Sequence, residues 1–255
     1  MNKGNSRWLP VLCVIAICIL TAAADAGLIH RYRFSEAGAV KDSVGNVDGK
    51  LVGPAATIAD GKLVLKNDDI TSSDDKISYV EFASPIIPKS GSVSIVVWFT
   101  AKDTGAYSRI FNFGDKESGS GKAFVYFVPR NADDLSRAAI TATDAASKTS
   151  QDNDRLDDGK PHMVAFVIDG KAGKMHVFID SKEPKPAEDL GDNTLDKVKP
   201  TDNFLGRSSF EGDAGLTGSI DELRVYDDAL TLDDAAAAFK AGPDALPPTT
   251  QPIAK

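Results

Sequence analysis

Through most of the chain apolar residues recur at every second position. Val93, Ile95, Val97 and Phe99 alternate with Ser92, Ser94, Val96 and Trp98, a period that sets one row on the inner face of a β-strand. The outer row is only partly polar. Val96 and Trp98 call for cover on that side as well, which predicts a central strand with an overlying loop. Similar short runs lie at 28–34, 62–66, 77–83, 109–113, 123–128, 138–143, 163–169, 174–180, 203–207 and 216–226, separated by clusters of Gly, Pro, Asn and Asp. About a dozen short strands with turns between them predict an all-β sandwich or jelly roll.

Two details refine that pattern. The runs 163–168 and 175–179 are joined by Asp169-Gly170-Lys171-Ala172-Gly173-Lys174, whose glycines suit a hairpin turn, so the two strands are predicted to pair antiparallel. In the run 216–226 the apolar positions Leu216, Gly218 and Ile220 switch parity to Leu223 and Val225. A bulge near Asp221 and Glu222 keeps both sets buried. One helix is predicted over 232–241: Thr231 caps it, Asp233 and Asp234 sit in its first turn, Lys240 in its last, and Gly242-Pro243 stops it. The domain is therefore expected to span 27–242. Residues 243–255, rich in proline with little to bury, read as a disordered tail.

The amino terminus sets the expected compartment. Lys3 and Arg7 precede an apolar run from Val11 to Leu20, and Ala24 and Ala26 supply small residues before a cleavage point. This is the pattern of a signal peptide over residues 1–26, and a run of about ten apolar residues is too short to span a membrane. No membrane insertion is expected after cleavage. The protein is thus expected to be secreted, or to reside in the periplasm or at the cell surface. Losing Lys3, Arg7 and Asp25 takes the net charge from −8 to −9. Such an acidic chain, with no basic run interleaved with aromatics, excludes nucleic acid as a partner. Both cysteines, Cys13 and Cys18, fall in the leader, so neither disulfides nor thiolate chemistry is expected beyond it.

Four stretches together resemble the laminin-G-like jelly-roll domains of bacterial exported proteins, in the concanavalin A-like lectin and glucanase superfamily. The first is the run 28–34 followed by Asp42-Ser43-Val44-Gly45-Asn46-Val47-Asp48-Gly49. The second is 92–100 leading to Ser108-Arg109-Ile110-Phe111-Asn112-Phe113-Gly114, and the third is Asp158-Gly159-Lys160-Pro161-His162-Met163 with the hairpin that follows. The fourth and most specific is Leu205-Gly206-Arg207, then Gly218-Ser219-Ile220-Asp221-Glu222-Leu223-Arg224-Val225-Tyr226. Pro161 stands where the family commonly has Trp, and Ser181 follows Asp180 where it commonly has Gly. The resemblance implies an all-β, two-sheet antiparallel jelly-roll sandwich with one short C-terminal helix.

Candidate chemistry is sparse. The turn 42–49 places Asp42, Asn46 and Asp48 close together, oxygen ligands of the kind calcium takes. The resemblance implies a structural Ca2+ held by Asp42, Asn46 and Asp221. The alternative is that Asp and Asn in such a turn bond only their own backbone. The acidic clusters Asp68, Asp69, Asp74, Asp75 and Asp152, Asp154, Asp157, Asp158 read as solvated charge. Jelly-roll glucanases of the superfamily carry Glu-x-Asp-x-x-Glu on one strand; here Glu211-Gly212-Asp213 lacks the third acid, Leu216 standing in its place. Asp221 and Glu222 are adjacent and would face opposite ways on a strand. His30, His162 and His176 show no ligand spacing, and no catalytic residue is named. Sugar binding needs exposed aromatic rings beside polar groups. Tyr107 and Phe210 are the ligand-binding candidates, because the loops 102–108 and 208–215 would carry them to one rim. The expectation is a monomeric, non-catalytic binding or adhesion module for a glycan or a cell-surface or extracellular protein. A polysaccharide hydrolase or lyase and a structural envelope protein are the alternatives.

Overall fold

The computed structural model describes residues 27–247 apart from Asn153; the expected leader and residues 248–255 lie outside the described residues. Fifteen strands run in the order β1 (Leu28–Tyr32), β2 (Gly49–Val52), β3 (Ala56–Ala59), β4 (Lys62–Leu65), β5 (Tyr79–Phe82), β6 (Val93–Lys102), β7 (Phe111–Glu117) and β8 (Ser120–Val128). They continue through β9 (Arg137–Thr141), β10 (Lys148–Gln151), β11 (Asp158–Asp169), β12 (Lys174–Ile179), β13 (Glu188–Asp189), β14 (Asp202–Leu205) and β15 (Gly218–Tyr226) to one helix, α1 (Leu232–Ala241). All pair antiparallel. An eight-stranded sheet has the order β13-β12-β11-β6-β15-β4-β3, with β1 also on β15; a seven-stranded sheet has the order β10-β9-β8-β7-β14-β5-β2.

The alternation along β6 decides the layering. Val93, Ile95, Val97 and Phe99 meet Phe111, Phe113, Val125 and Phe127 of the facing sheet in one core shared with Val164, Phe166, Leu223 and Val225. Each such buried side chain stabilises the fold by roughly 1.5–3 kcal/mol. The strands β11 and β12 pair antiparallel as predicted, and the register of β15 shifts between Ile220 and Glu222, where the parity switch requires a bulge.

The outer row of β6 is covered by a helix, not by the expected loop. Ala235 and Ala238 of α1 pack on Val96, Trp98, Met163, Ala165 and Val167. The helix begins as predicted: the Asp234 amide donates to Thr231 Oγ1 at 3.2 Å, and the Thr231 amide donates to the Asp234 carboxylate at 2.9 Å. Its far end is pinned. The Asp244 amide donates to Glu222 Oε2 at 2.6 Å and Arg224 Nη2 donates to the Ala245 carbonyl at 2.8 Å. The expected boundary at residue 242 is therefore short, because Asp244 and Ala245 dock on β15 through buried charges that sequence periodicity does not register. The strands β2, β3, β10 and β13 are also absent from the pattern. β10 reads Lys-Thr-Ser-Gln and β13 Glu-Asp, so neither carries an apolar alternation.

A candidate binding rim

Because successive strands reverse direction, five connections meet at one end of the sandwich: 66–78, 103–110, 129–136, 152–157 and 206–217. Main-chain bonds knit them together. Asp103 donates its amide to Asp157 O at 3.0 Å, Tyr107 to Arg130 O at 2.9 Å, Ser136 to Asp154 O at 2.9 Å and Gly215 to Ile70 O at 2.8 Å. Residue 105 must be glycine, since a Cβ there would overlap the Ala214 methyl. The loops expected to converge on a rim thus do so, and Ser108 Oγ ties them by donating to the Gly215 carbonyl at 3.2 Å.

Between these loops lies a polar cleft of about 410 Å³, within the usual span for small-ligand sites. Asp68, Asp69, Thr71, Asp103, Arg130 and Thr217 line it. Four residues of this end hold left-handed backbone that costs a non-glycine residue free energy: Asp69 at φ 58°, Asp103 at φ 46°, Tyr107 at φ 63° and Asp134 at φ 59°. Arg130 is held by donating to the Thr104 carbonyl at 2.9 Å and to Asp134 at 2.6 Å. The cleft therefore presents carboxylate acceptors and hydroxyl and guanidinium donors on a braced backbone.

Tyr107 and Phe210 are brought together, around a residue that the alternation did not single out. The Arg109 guanidinium lies 3.7 Å from the Tyr126 ring centre and 5.7 Å from those of both Tyr107 and Phe210. It is only 2% exposed and bonds Asp213 at 3.0 Å. Burial pushes the Asp213 carboxyl above the usual range, although Arg109 and Ser208 pull it down. The same burial lowers Arg109, as expected where desolvation outweighs pairing. Phe210 also stacks edge-on against Phe124 at 5.5 Å. The two aromatics thus serve first as walls for Arg109. The signal for that residue was present, since an arginine opening the apolar run 109–113 must find partners when buried.

The cation residues fare differently. Asp42 Oδ2 bonds His30 Nδ1 at 2.6 Å and accepts the Val47 amide at 3.2 Å, while Oδ1 accepts the amides of Arg31, Val44 and Gly45. Burial pushes this carboxyl up, but those donors win and hold it below its ordinary range. Asp48 pairs with Lys41 at 2.6 Å and Asp221 with Lys62 at 2.7 Å, while Asn46 is exposed. A carboxylate saturated by five donors and another neutralised by lysine do not fit a calcium cage. Among the described residues no group of three or more His, Cys, Asp and Glu side chains is placed to hold a metal. Each histidine is spent on a carboxylate, His30 on Asp42, His162 on Asp180 and His176 on Glu183. Asp157, expected in solvent, is instead buried and bonded by Arg155 at 2.6 Å.

Solved structures share this architecture. Domain 4 of AbnA, a GH43 extracellular arabinanase from Geobacillus stearothermophilus, in complex with arabinotriose, superposes with a TM-score of 0.61 at 22% identity, covering 84% of this chain and 98% of that one. The binding domain of botulinum neurotoxin DC in complex with rat synaptotagmin II gives 0.60 at 12% identity over 84% of this chain, which spans 51% of that domain's chain. The CBM40 of the Ruminococcus gnavus IT-sialidase bound to α2,3 sialyllactose gives 0.51 at 16%, over 58% of this chain and 82% of that one. No curated protein matches the sequence. The family profile is decisive: it matches residues 74–236, from the β4–β5 connection into the first half of α1, and the chain belongs to the concanavalin A-like lectin/glucanases superfamily.

Proposed function

We propose that this protein is an exported, non-catalytic binding module whose ligand is a glycan, seated in the polar cleft of the rim. The observation that carries the reading is the convergence of five connections on a cleft walled by Asp68, Asp69, Asp103, Arg130 and three threonines. Vicinal sugar hydroxyls donate to carboxylates and accept from guanidinium and hydroxyl groups, and a backbone braced in advance lowers the cost of ordering on binding. The acids of the 211–213 stretch and of β15 are engaged in ion pairs, which supports binding over hydrolysis. Asp213 is committed to Arg109, Glu222 is buried between Arg31 and Arg224, and Glu211 lies 3.7 Å from Lys116. Domains bound to arabinotriose and sialyllactose share the fold, which supports sugar as the ligand class.

The test is a glycan array followed by calorimetry on neutral oligosaccharides. Asp69→Ala and Asp103→Ala are each expected to weaken the best neutral ligand about tenfold, the equivalent of about 1.4 kcal/mol, with no release of reducing ends. Unchanged affinity in both variants, or turnover of the ligand, contradicts the proposal.

A further inference from the structure

The outer face of the seven-stranded sheet holds a cation without a counter-charge. Arg137 opens β9, with Val128 opposite it on β8 and Gln151 on β10. It is half-buried, and its Nε is fully buried with no hydrogen-bond partner. Three other arginines have an orphaned nitrogen, but each is anchored elsewhere: Arg109 on Asp213, Arg207 on the Tyr79 hydroxyl and Ser72 carbonyl, Arg224 on Glu222. Among the described residues Arg137 forms no ion pair, although Asp and Glu outnumber Lys and Arg by 37 to 29. The face carries a second guanidinium, that of Arg109, which lies over the Tyr126 ring. A guanidinium with a buried, unbonded nitrogen is costly unless an anion joins it.

The same face offers groups suited to sugar hydroxyls. Thr141 shares the face with Arg137, and its Oγ1 is likewise buried without a partner. Ala139, fully buried, lies between them, flanked by Tyr126 on β8 and Thr149 on β10. Arg137 and Thr141 are about 13 Å apart at 3.3 Å per strand residue, long enough for more than one sugar ring.

We infer that this face of β8, β9 and β10 is an anion subsite, with Arg137 taking the carboxylate or sulfate ester of an acidic oligosaccharide and Thr141 bonding a hydroxyl further along it. The inference shares the glycan reading made above, but not its cleft. Arg137 is a binding residue by this account, and its guanidinium fork matches either anion with two parallel bonds.

Calorimetry with an oligogalacturonate, a heparin-derived oligosaccharide and a neutral gluco-oligosaccharide tests it. At least one acidic probe is expected to bind more tightly than the neutral one, with affinity falling as salt rises. Which acidic probe binds separates carboxylate from sulfate recognition. Arg137→Gln should weaken that probe at least tenfold, Arg137→Lys by less, and Thr141→Val by several fold. Without ligand, Arg137→Gln should leave the Tm unchanged or raise it, because an uncompensated cation is removed. A fall of several degrees makes Arg137 structural and overturns the inference, as does failure of both acidic probes at millimolar concentration. Asp69→Ala should leave acidic binding intact; if it abolishes binding while Arg137→Gln does not, the subsite is refuted and the cleft retained.

Discussion

The two outer faces of the sandwich each hold a buried arginine against an aromatic ring, Arg224 over Trp98 at 4.4 Å and Arg109 over Tyr126 at 3.7 Å, yet the two are finished differently. Arg224 shares Glu222 with Arg31, and Glu222 also accepts the Asp244 amide, so the network ties two strands to the segment after α1. Burial pushes the Glu222 carboxyl up, and its donors bring it below the ordinary range. On the other face Asp213 stays above its range despite Arg109, and among the described residues no helix lies over the sheet. Orphaned polar atoms follow the same divide. Among the described residues Arg109, Arg137, Thr141, Asp202 and Arg207 place theirs on the side of the seven-stranded sheet, against Arg224 alone on the outer face of the other. The helix-covered face is satisfied by its own chain, whereas the open face has polar capacity left over for something outside it.

The largest effect should come from opening the satisfied face. Glu222→Ala strands two guanidinium groups in a buried network and is expected to cost about 3–5 kcal/mol in urea denaturation, with glycan affinity unchanged in whatever folds. A cost below about 1 kcal/mol would erase the contrast between the faces. The equivalent change on the open face, Arg109→Met, should cost less, about 1–2 kcal/mol, because Asp213 reaches solvent once its partner is gone. At the rim, Asp69→Gly relieves left-handed backbone at φ 58° and is expected to stabilise by up to about 1 kcal/mol while weakening sugar binding. Loss of stability in that variant would show that the strain is not real.

Smaller effects follow from the charge pairs at the edges. Hydrogen bonding to Asp180 raises the His162 pKa, against a lowering by burial and helped by Asp158. A raised histidine contributes fully below its unfolded value near 6.5 and loses that contribution as pH rises through the folded value. The Tm gap between wild type and His162→Gln should therefore be wider at pH 5.5 than at pH 8.5, and a gap that widens with pH would reverse the assignment. Millimolar calcium added after chelation should leave the Tm in place. A rise of several degrees lost in Asp221→Ala would restore the cation cage at Asp42, Asn46 and Asp221.

The alternation of Val93 to Phe99, the other short runs like it and the four ordered stretches that end at 218–226 together made the sandwich legible, because burying one face of a strand imposes period two on the sequence. The strands β10 and β13 escaped because hydrogen bonding to a neighbour, without burial, imposes no such period. Tyr107 and Phe210 were legible as neighbours on two loops, but their role was not, because alternation alone does not say which rings would enclose Arg109, the arginine that opens the apolar run 109–113. Asp42 was legible as the anchor of its turn, yet ligand and backbone acceptor look alike in sequence. Only the count of donors around it separates them.

Hydrogen–deuterium exchange of the protein, free and saturated with the tightest oligosaccharide from the array, tests most directly that the open side does the binding. Added protection at 66–71, 103–109, 129–137 and 214–217, with α1 and β15 unchanged, is the predicted result. Protection confined to α1 and the eight-stranded sheet would contradict it.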